Sequence, residues 1–327
     1  MPDGLLIIDK PAGPTSHDVV ARARRALREK RIGHTGTLDP MATGVLLLVV
    51  GKATRLAKFL SAGDKSYDAV VRFGFATDTG DAQGRALGPV SERPLPTLAE
   101  IDAALDAFRG TFMQQPPAFS AKKIDGQRSY KLARASRVTH AAPGSPQATP
   151  GTLERPALPP AARVTTHAVR IVSMDGDQAM LGVDCSAGFY VRSLAHDLGE
   201  RLGVGAHLTA LRRTRVGEFA LDRALALDAA EREPERAAAA IVPLAGVLPG
   251  LPSCVLTAEG VSRVGHGQDV RPGDQVPAVG ARPSAMDPEA PAVSHQPFVR
   301  LLDQGGALLA IAERAAGGVL HPSIVLV

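Results

Sequence analysis

His34-Thr35-Gly36-Thr37-Leu38-Asp39-Pro40-Met41-Ala42-Thr43-Gly44 is the segment from which the rest of this chain is best read. Two glycines, several hydroxyls and an Asp-Pro step call for a shaped turn, and the ring of Pro40 drives Asp39 out of the α region. A carboxylate on such a loop can serve as a nucleophile or a general acid/base. For an isolated Asp-Pro step, an Asx-turn is the better reading. The flanks are clearer. Upstream, residues 5–9 form a short apolar strand, and Lys10-Pro11-Ala12-Gly13-Pro14 is a loop. Thr15 or Ser16 can cap a helix whose apolar positions Val19, Val20, Ala23, Ala26 and Leu27 follow a 3.6 period. Arg22, Arg25 and Arg28 lie on its other side, and it should end near Lys30. Residues 33–44 then read as a loop, followed by a buried strand over 45–50.

Farther along, residues 67–73 alternate, with Tyr67, Ala69, Val71 and Phe73 on one side of a half-buried strand. Thr97 and Glu100 form a capping box before a helix carrying Ile101, Leu105 and Phe108, which Gly110 can stop. Residues 141–162, rich in Pro, Ala, Gly and Thr, read as a long mobile loop or insertion. Strands are expected at 164–172 and 179–185. Val191, Leu194, Ala195, Leu198 and Leu202 then mark an amphipathic helix ending at Gly203. Residues 225–240 are Ala- and charge-rich and read as helical, up to a Pro/Gly break at 248–250. Beyond it come short β-like runs at 298–302, 307–312 and 324–327, interrupted by a low-complexity loop near 272–297. The pattern predicts an α/β (α+β) chain with a large domain over 1–249 and a small β domain over 250–327.

Composition narrows the function classes. The 327 residues are 45% hydrophobic and suit a chain with a sizeable core. Aromatics are 4% with no Trp, so the core must be built from Leu, Val, Ile and Ala. The start Met1-Pro2-Asp3-Gly4 lacks a basic stretch before residues 5–8, so no secretory signal is expected. No purely apolar run exceeds six residues, too few to span a bilayer. Cys185 and Cys254 stand far apart with no CxxC, which argues against a structural zinc site or disulfide framework and for a cytoplasmic location. Net charge is only +4, but residues 1–60 hold ten Lys/Arg against five Asp/Glu, and residues 109–137 seven against one. That asymmetry fits a face that meets phosphates, and also a merely solvated one.

Other motifs fall to their plainer readings. Ser16-His17-Asp18 has the composition of a catalytic triad, but three adjacent side chains do not converge, so helix capping is the better reading. Asp78-Thr79-Gly80-Asp81-Ala82-Gln83-Gly84 hints at a calcium loop, yet the twelfth position is Pro89 rather than Glu, which leaves a polar turn. Gly33-His34-Thr35-Gly36 lacks the Gly-Lys-Ser/Thr of a nucleotide-hydrolysing loop. A lone aromatic such as Tyr67 is usually a core residue with a satisfied hydroxyl, but local chemistry does not choose between that and a site role. Arg192 either snorkels to solvent or is buried against a carboxylate.

Nine blocks nevertheless recur in the order of one family. They are Asp9-Lys10-Pro11 with Gly13 and Ser16, then Gly33 to Gly44 with Lys52-Ala53-Thr54, Lys65-Ser66-Tyr67 and Thr77-Asp78-Thr79-Gly80-Asp81. Next come Pro116-Pro117-Ala118-Phe119-Ser120-Ala121-Lys122-Lys123, and Gly126 with Tyr130. Gly188-Phe189-Tyr190-Val191-Arg192, Asp197-Leu198-Gly199, and Gly205-Ala206-His207-Leu208 with Leu211-Arg212-Arg213 complete the set. Through them the chain resembles the TruB family, bacterial enzymes that isomerise uridine 55 in the tRNA T-arm.

The resemblance implies a pseudouridine-synthase fold with a mixed, largely antiparallel sheet and a PUA-like C-terminal domain. It implies Asp39 as the nucleophile, Tyr67 stacking on the target base and managing its C5 proton, and Arg192 orienting Asp39. His34 would help hold the flipped base, with Lys10, Gly36, Thr37 and Leu211 as further substrate contacts. The basic segment 109–137 would grip the T-arm. The reaction has no redox step, so neither cofactor nor metal is implied. tRNA is the expected partner, with no membrane, no obligatory protein partner and a monomeric chain. Two rivals are a guide-RNA-dependent dyskerin-like synthase and a tRNA-folding chaperone.

Overall fold

The computed structural model describes residues 2–120, 123–124, 127–128, 158–276 and 297–327. Part of the basic segment 109–137, Tyr130, most of the expected loop 141–162 and most of the 272–297 insertion lie outside the described residues.

Strands β1 (Gly4–Lys10), β2 (Ile32–Thr35), β3 (Thr43–Val50), β4 (Lys65–Phe73) and β5 (Gly110–Gln114) come first, followed by a short hairpin of β6 (Lys123–Ile124) and β7 (Gln127–Arg128). Then come β8 (Ala162–Asp175), β9 (Gln178–Cys185), β10 (Ala206–Val216), β11 (Phe219–Ala220), β12 (Leu225–Ala226) and β13 (Val242–Pro243). The chain closes with β14 (Ser253–Val255), β15 (Phe298–Leu302), β16 (Leu308–Arg314) and β17 (Leu320–Val325). The main sheet runs β12-β1-β3-β10-β4-β9-β8-β5, with β2 on β3, β11 on β10 and β13 on β1. Its β1–β12 and β3–β10 contacts are parallel and the others antiparallel, as the expected mixed, largely antiparallel sheet requires. A four-stranded sheet, β14-β15-β16-β17, follows.

The unbroken apolar run of β3 has a direct cause, because both faces of that strand are covered. Leu46, Leu48 and Val50 join Leu6, Ile8, Val19 and Leu27 in one core, beneath the helix Ser16–Leu27. Val45, Leu47 and Val49 join Leu5, Ile7, and Leu308, Ile311 and Ile324 of the C-terminal sheet with Leu326 just beyond it, in a second. A third core, including Leu256, Val264, Val299 and Leu320, fills the C-terminal sheet and its helix Ala258–Gly265.

Several elements differ from the sequence reading. Residues 33–35 of the expected loop belong to strand β2, so the loop proper shrinks to residues 36–42. Residues 225–240 are not one helix. After β12 come two short helices, Leu227–Arg232 and Pro234–Ala239, because Pro234 forces Glu233 out of helical geometry. Residues 110–114, within the basic segment expected to grip RNA, are the edge strand β5 paired to β8. The helix Ala258–Gly265 stands where only β-like runs were expected. Thr15, not Ser16, caps the first helix, in a capping box with Asp18. Among the described residues no helix is long and apolar enough to cross a membrane.

Candidate active site

The loop between β2 and β3 carries Asp39 and is held from beneath by three side chains. The hydroxyl of Ser16 accepts from the Leu38 amide at 2.9 Å and donates to the Leu38 carbonyl at 3.1 Å, clamping the residue before Asp39 on both sides. Lys10 is fully buried, and its ammonium donates to the carbonyls of Pro11 (2.9 Å), Pro40 (3.2 Å) and Ala42 (2.6 Å). Lys10 therefore anchors the Asp39 turn rather than offering its charge to a ligand. Burial pulls its pKa down to about 8, with the Asp39 carboxylate acting in the opposite direction. Arg213 on β10 donates to the Gly36 carbonyl at 2.9 Å and to the Val45 carbonyl at 2.7 Å. Gly44 closes the loop at φ +101°, where a Cβ would lie 2.1 Å from the Arg213 carbonyl oxygen, so only glycine fits.

Thus braced, the Asp39 side chain keeps about a third of its surface open, at 33%. Arg192 grips it with a fork, Nε to Oδ2 at 2.8 Å and Nη2 to Oδ1 at 3.2 Å. This guanidinium is only 5% exposed, which decides between the two readings of Arg192 in favour of the buried carboxylate pair. Nη1 also donates to the Thr79 carbonyl at 2.9 Å, and Nη2 to the Phe119 carbonyl at 2.7 Å. The Asp81 carboxylate, nearly buried, stands 3.9 Å from Nε as a further negative charge. A bidentate pair so fully hydrogen-bonded aims the carboxylate rather than merely neutralising it. Thr77, Thr79 and Asp81 form a hydrogen-bonded polar turn that feeds this network, as expected in place of a calcium loop.

Arg192 sits in the first turn of the helix Val191–Leu202, whose start is fixed from β5. Gln114 makes a two-way bridge to the Tyr190 backbone, accepting from its amide at 2.8 Å and donating to its carbonyl at 3.0 Å. Tyr67 on β4 lies 8% exposed and directly opposite Arg213 on β10. Burial raises its pKa, so the phenol rests neutral. Leu211 is opposite Ala69 on the same strand pair, two residues along, and hence on the same face. His34 on β2 packs its ring edge-to-face against His17, with centroids 5.1 Å apart. Gly36 and Thr37 border the loop, Gly36 at φ +72°.

The fold thus unites Asp39, Arg192, Lys10, Gly36, Arg213 and Tyr67. Tyr190, quoted above only as part of a block, is drawn in as well. Half-buried, with its pKa raised by desolvation, it feels the charges of Arg192 and Asp39. An aromatic two residues before a buried arginine was the available signal. Among the described residues no group of three His, Cys, Asp or Glu is placed to hold a metal.

A carboxylate on a braced loop beside a buried tyrosine, on a mixed sheet of this order, defines a class, the pseudouridine-synthase fold. The archaeal box H/ACA sRNP Nop10-Cbf5 complex superposes with TM-score 0.65 at 24% identity, over 100% of this chain and 86% of that one. An H/ACA RNP bound to a substrate RNA containing 2'-deoxyuridine gives 0.67 at 22%, over 99% and 85%. At the sequence level, the family model described as TruB family pseudouridylate synthase (N terminal domain) matches residues 24–147. That described as tRNA pseudouridylate synthase B C-terminal domain matches residues 192–241, ending before the four-stranded sheet. The tRNA pseudouridine synthase B of Solibacter usitatus is 38% identical over 326 residues, covering 99% of this chain and all of the relative. That of Mycobacterium avium is 48% identical over 229 residues, 69% of each chain. The chain belongs to the TruB family of pseudouridylate synthases.

Proposed function

We propose that this chain is a tRNA pseudouridine synthase that isomerises uridine 55 of the T-arm, with Asp39 as nucleophile. The observation that carries the reading is the Asp39–Arg192 fork, a partly open carboxylate aimed by a guanidinium that is itself locked by two backbone carbonyls. Converting a C–N to a C–C glycosidic bond needs a nucleophile that detaches uracil, a pocket that retains it and an acceptor for the C5 proton. Asp39 supplies the first, and Tyr67 stacks on the base and receives the proton. His34 and Leu211 line the pocket, and the loop residues Gly36 and Thr37 meet the target strand. Lys10 acts through the loop it anchors. A uridine stacked in a folded loop must be flipped out, which costs a few kcal/mol that stacking on Tyr67 partly offsets. Residues 1–249 act as the catalytic domain and residues 250–327 as a PUA-like module that touches tRNA farther along, in a cytoplasmic, monomeric enzyme acting without a guide RNA.

The names of the relatives, tRNA pseudouridine synthase B, support the substrate class. The test is tritium release from C5-labelled uridine in a naked T-arm stem–loop. Wild-type protein should release tritium without guide RNA or added protein. Asp39→Asn should abolish release, a loss above about 10⁴-fold, while RNA affinity stays within about threefold. Comparable turnover in that variant sinks the assignment. A requirement for guide RNA would favour the dyskerin-like rival, and full cellular function of the Asn variant would favour the chaperone.

A further inference from the structure

Arg213 is the largest fully buried side chain among the described residues, 1% exposed, and none of their carboxylates lies within 4.0 Å of it. A guanidinium taken out of water without an acidic partner is costly, so its retention points to a task. Two of its donors reach the Val45 carbonyl at the start of β3 and the Gly36 carbonyl in the Asp39 loop. Its cross-strand partner on β4 is Tyr67, and directly opposed residues hold their Cβ atoms about 5 Å apart on one face. Over them lies Gly36, whose Cβ position is 3.5 Å from Nη1 of Arg213. One cation therefore touches the loop that carries Asp39 and stands beside the phenol.

We propose that Arg213 is a positioning residue for Tyr67, a permanent cation that orients the phenol beneath the Asp39 loop and stabilises the phenolate that takes up the C5 proton. The inference rests on the function proposed above. A guanidinium is donor-only, so it can engage the phenol only through the oxygen's lone pairs, which it favours most in the anion. Burial pushes the Tyr67 phenol up, and Arg213 draws it back down. A phenol of ordinary pKa is ionised in only about one molecule in 10³ at pH 7, so each unit recovered raises the reactive fraction about tenfold. Arginine keeps its charge throughout the working range. Lys10 and Lys65, both lowered to about 8 by burial, do not. In the step itself Tyr67 enters as phenolate, its own proton having gone to solvent water. The C5 proton passes to the phenolate oxygen, the C–H electron pair forms the C5–C6 double bond as the C6–N1 π pair moves onto N1, N1 takes a proton from water, and Tyr67 leaves as the neutral phenol.

The experiment compares single-turnover rates on T-arm stem–loops carrying protium or deuterium at C5 of the target uridine, for wild type, R213K and R213Q. Folding is checked by circular dichroism and RNA affinity by filter binding. R213Q should slow turnover about 10²-fold with RNA affinity within threefold, and its deuterium isotope effect should rise above that of wild type because proton removal becomes limiting. R213K, whose ammonium cannot span the phenol oxygen and Gly36 together, should fall between the two in rate and isotope effect. If R213Q does not fold, R213K alone decides. Slowing with an unchanged isotope effect marks a scaffold residue and overturns the proposal, as does wild-type turnover in R213Q. A wild-type protein inactive on the stem–loop would fail the functional reading instead, so the two failures are distinguishable.

Discussion

Buried titratable groups around the site make folding stability depend on pH in a way that can be worked out group by group. Lys10 and Lys65 are lowered by burial to about 8 from 10.5, so between those values the unfolded chain binds protons that the folded chain has released. Stability must rise with pH in that window, by up to about 1.4 kcal/mol per group per pH unit. Cys185, paired across β4–β9 with Lys65, is pushed up by burial to about 12 from 9.0. Between 9 and 12 the folded chain holds a proton that the unfolded chain has lost, so this thiol lowers stability as pH rises. The two lysines dominate between pH 8 and 9, and above 9 the raised thiols of Cys185 and Cys254 offset part of their effect. Urea unfolding at pH 7, 8, 9 and 10 should therefore show stability rising by about 1–2 kcal/mol between pH 8 and 9, with a smaller rise between 9 and 10. Lys65→Met should remove about half of the rise. A flat profile between 8 and 9 would mean that the ammonium groups keep their protons by donating to the carbonyls that surround them.

At the scale of elements, the site depends on where two segments begin. Gln114 on β5 holds the backbone of Tyr190, and Tyr190 starts the helix that carries Arg192. Gln114→Ala leaves the Tyr190 amide buried without its acceptor, a cost of about 1–3 kcal/mol. The expected result is that loss in denaturant unfolding together with roughly tenfold slower turnover. Wild-type turnover would instead mean that the bonds of Arg192 to Thr79 and Phe119 suffice to hold the helix start. This bridge was not legible in the sequence, where Gly110 read as a helix stop and β5 was missed. The larger omission was β10, the strand that carries Leu211 and Arg213. Register shifts at Leu208/Ala210 and Arg213/Arg215 break its inside–outside alternation, and a fully buried arginine supplies a polar letter where the period demands an apolar one. β2 was hidden for a related reason, since its four residues lie inside the glycine- and hydroxyl-rich segment that reads as a loop. By contrast β1, β3, β4, β9 and the first helix were legible because their apolar periods match the faces they bury. At the site, Asp39, Tyr67 and Arg192 came from the family resemblance. Their convergence needs the β3–β10–β4 order, which local pattern does not contain.

Across the whole molecule, the two sheets are joined by a shared core rather than strung on a linker. Leu308, Ile311, Ile324 and Leu326 of the C-terminal region pack in one cluster with Leu5, Ile7, Val45, Leu47 and Val49 from the second face of β1 and β3. Phe59 meets Phe298 edge-to-face with centroids 4.8 Å apart, and Arg55 donates to the Val325 carbonyl. The same β3 carries the Asp39 loop on its leading end, so the C-terminal sheet backs the strand on which the site is built. Burying four aliphatic side chains is worth about 1.5–3 kcal/mol each. That total is of the same order as the 5–15 kcal/mol net stability of a typical domain. Removing residues 251–327 should therefore do more than subtract an RNA contact. The truncated chain should bind a hydrophobic dye, unfold at least 10 °C below the full chain and aggregate on concentration. Its turnover should fall even on an isolated stem–loop that reaches no farther than the target loop. A truncated chain that stays monodisperse, melts with the full-length protein and matches its turnover would show that β1 and β3 need no cover on that face, and that the C-terminal sheet is an appended module.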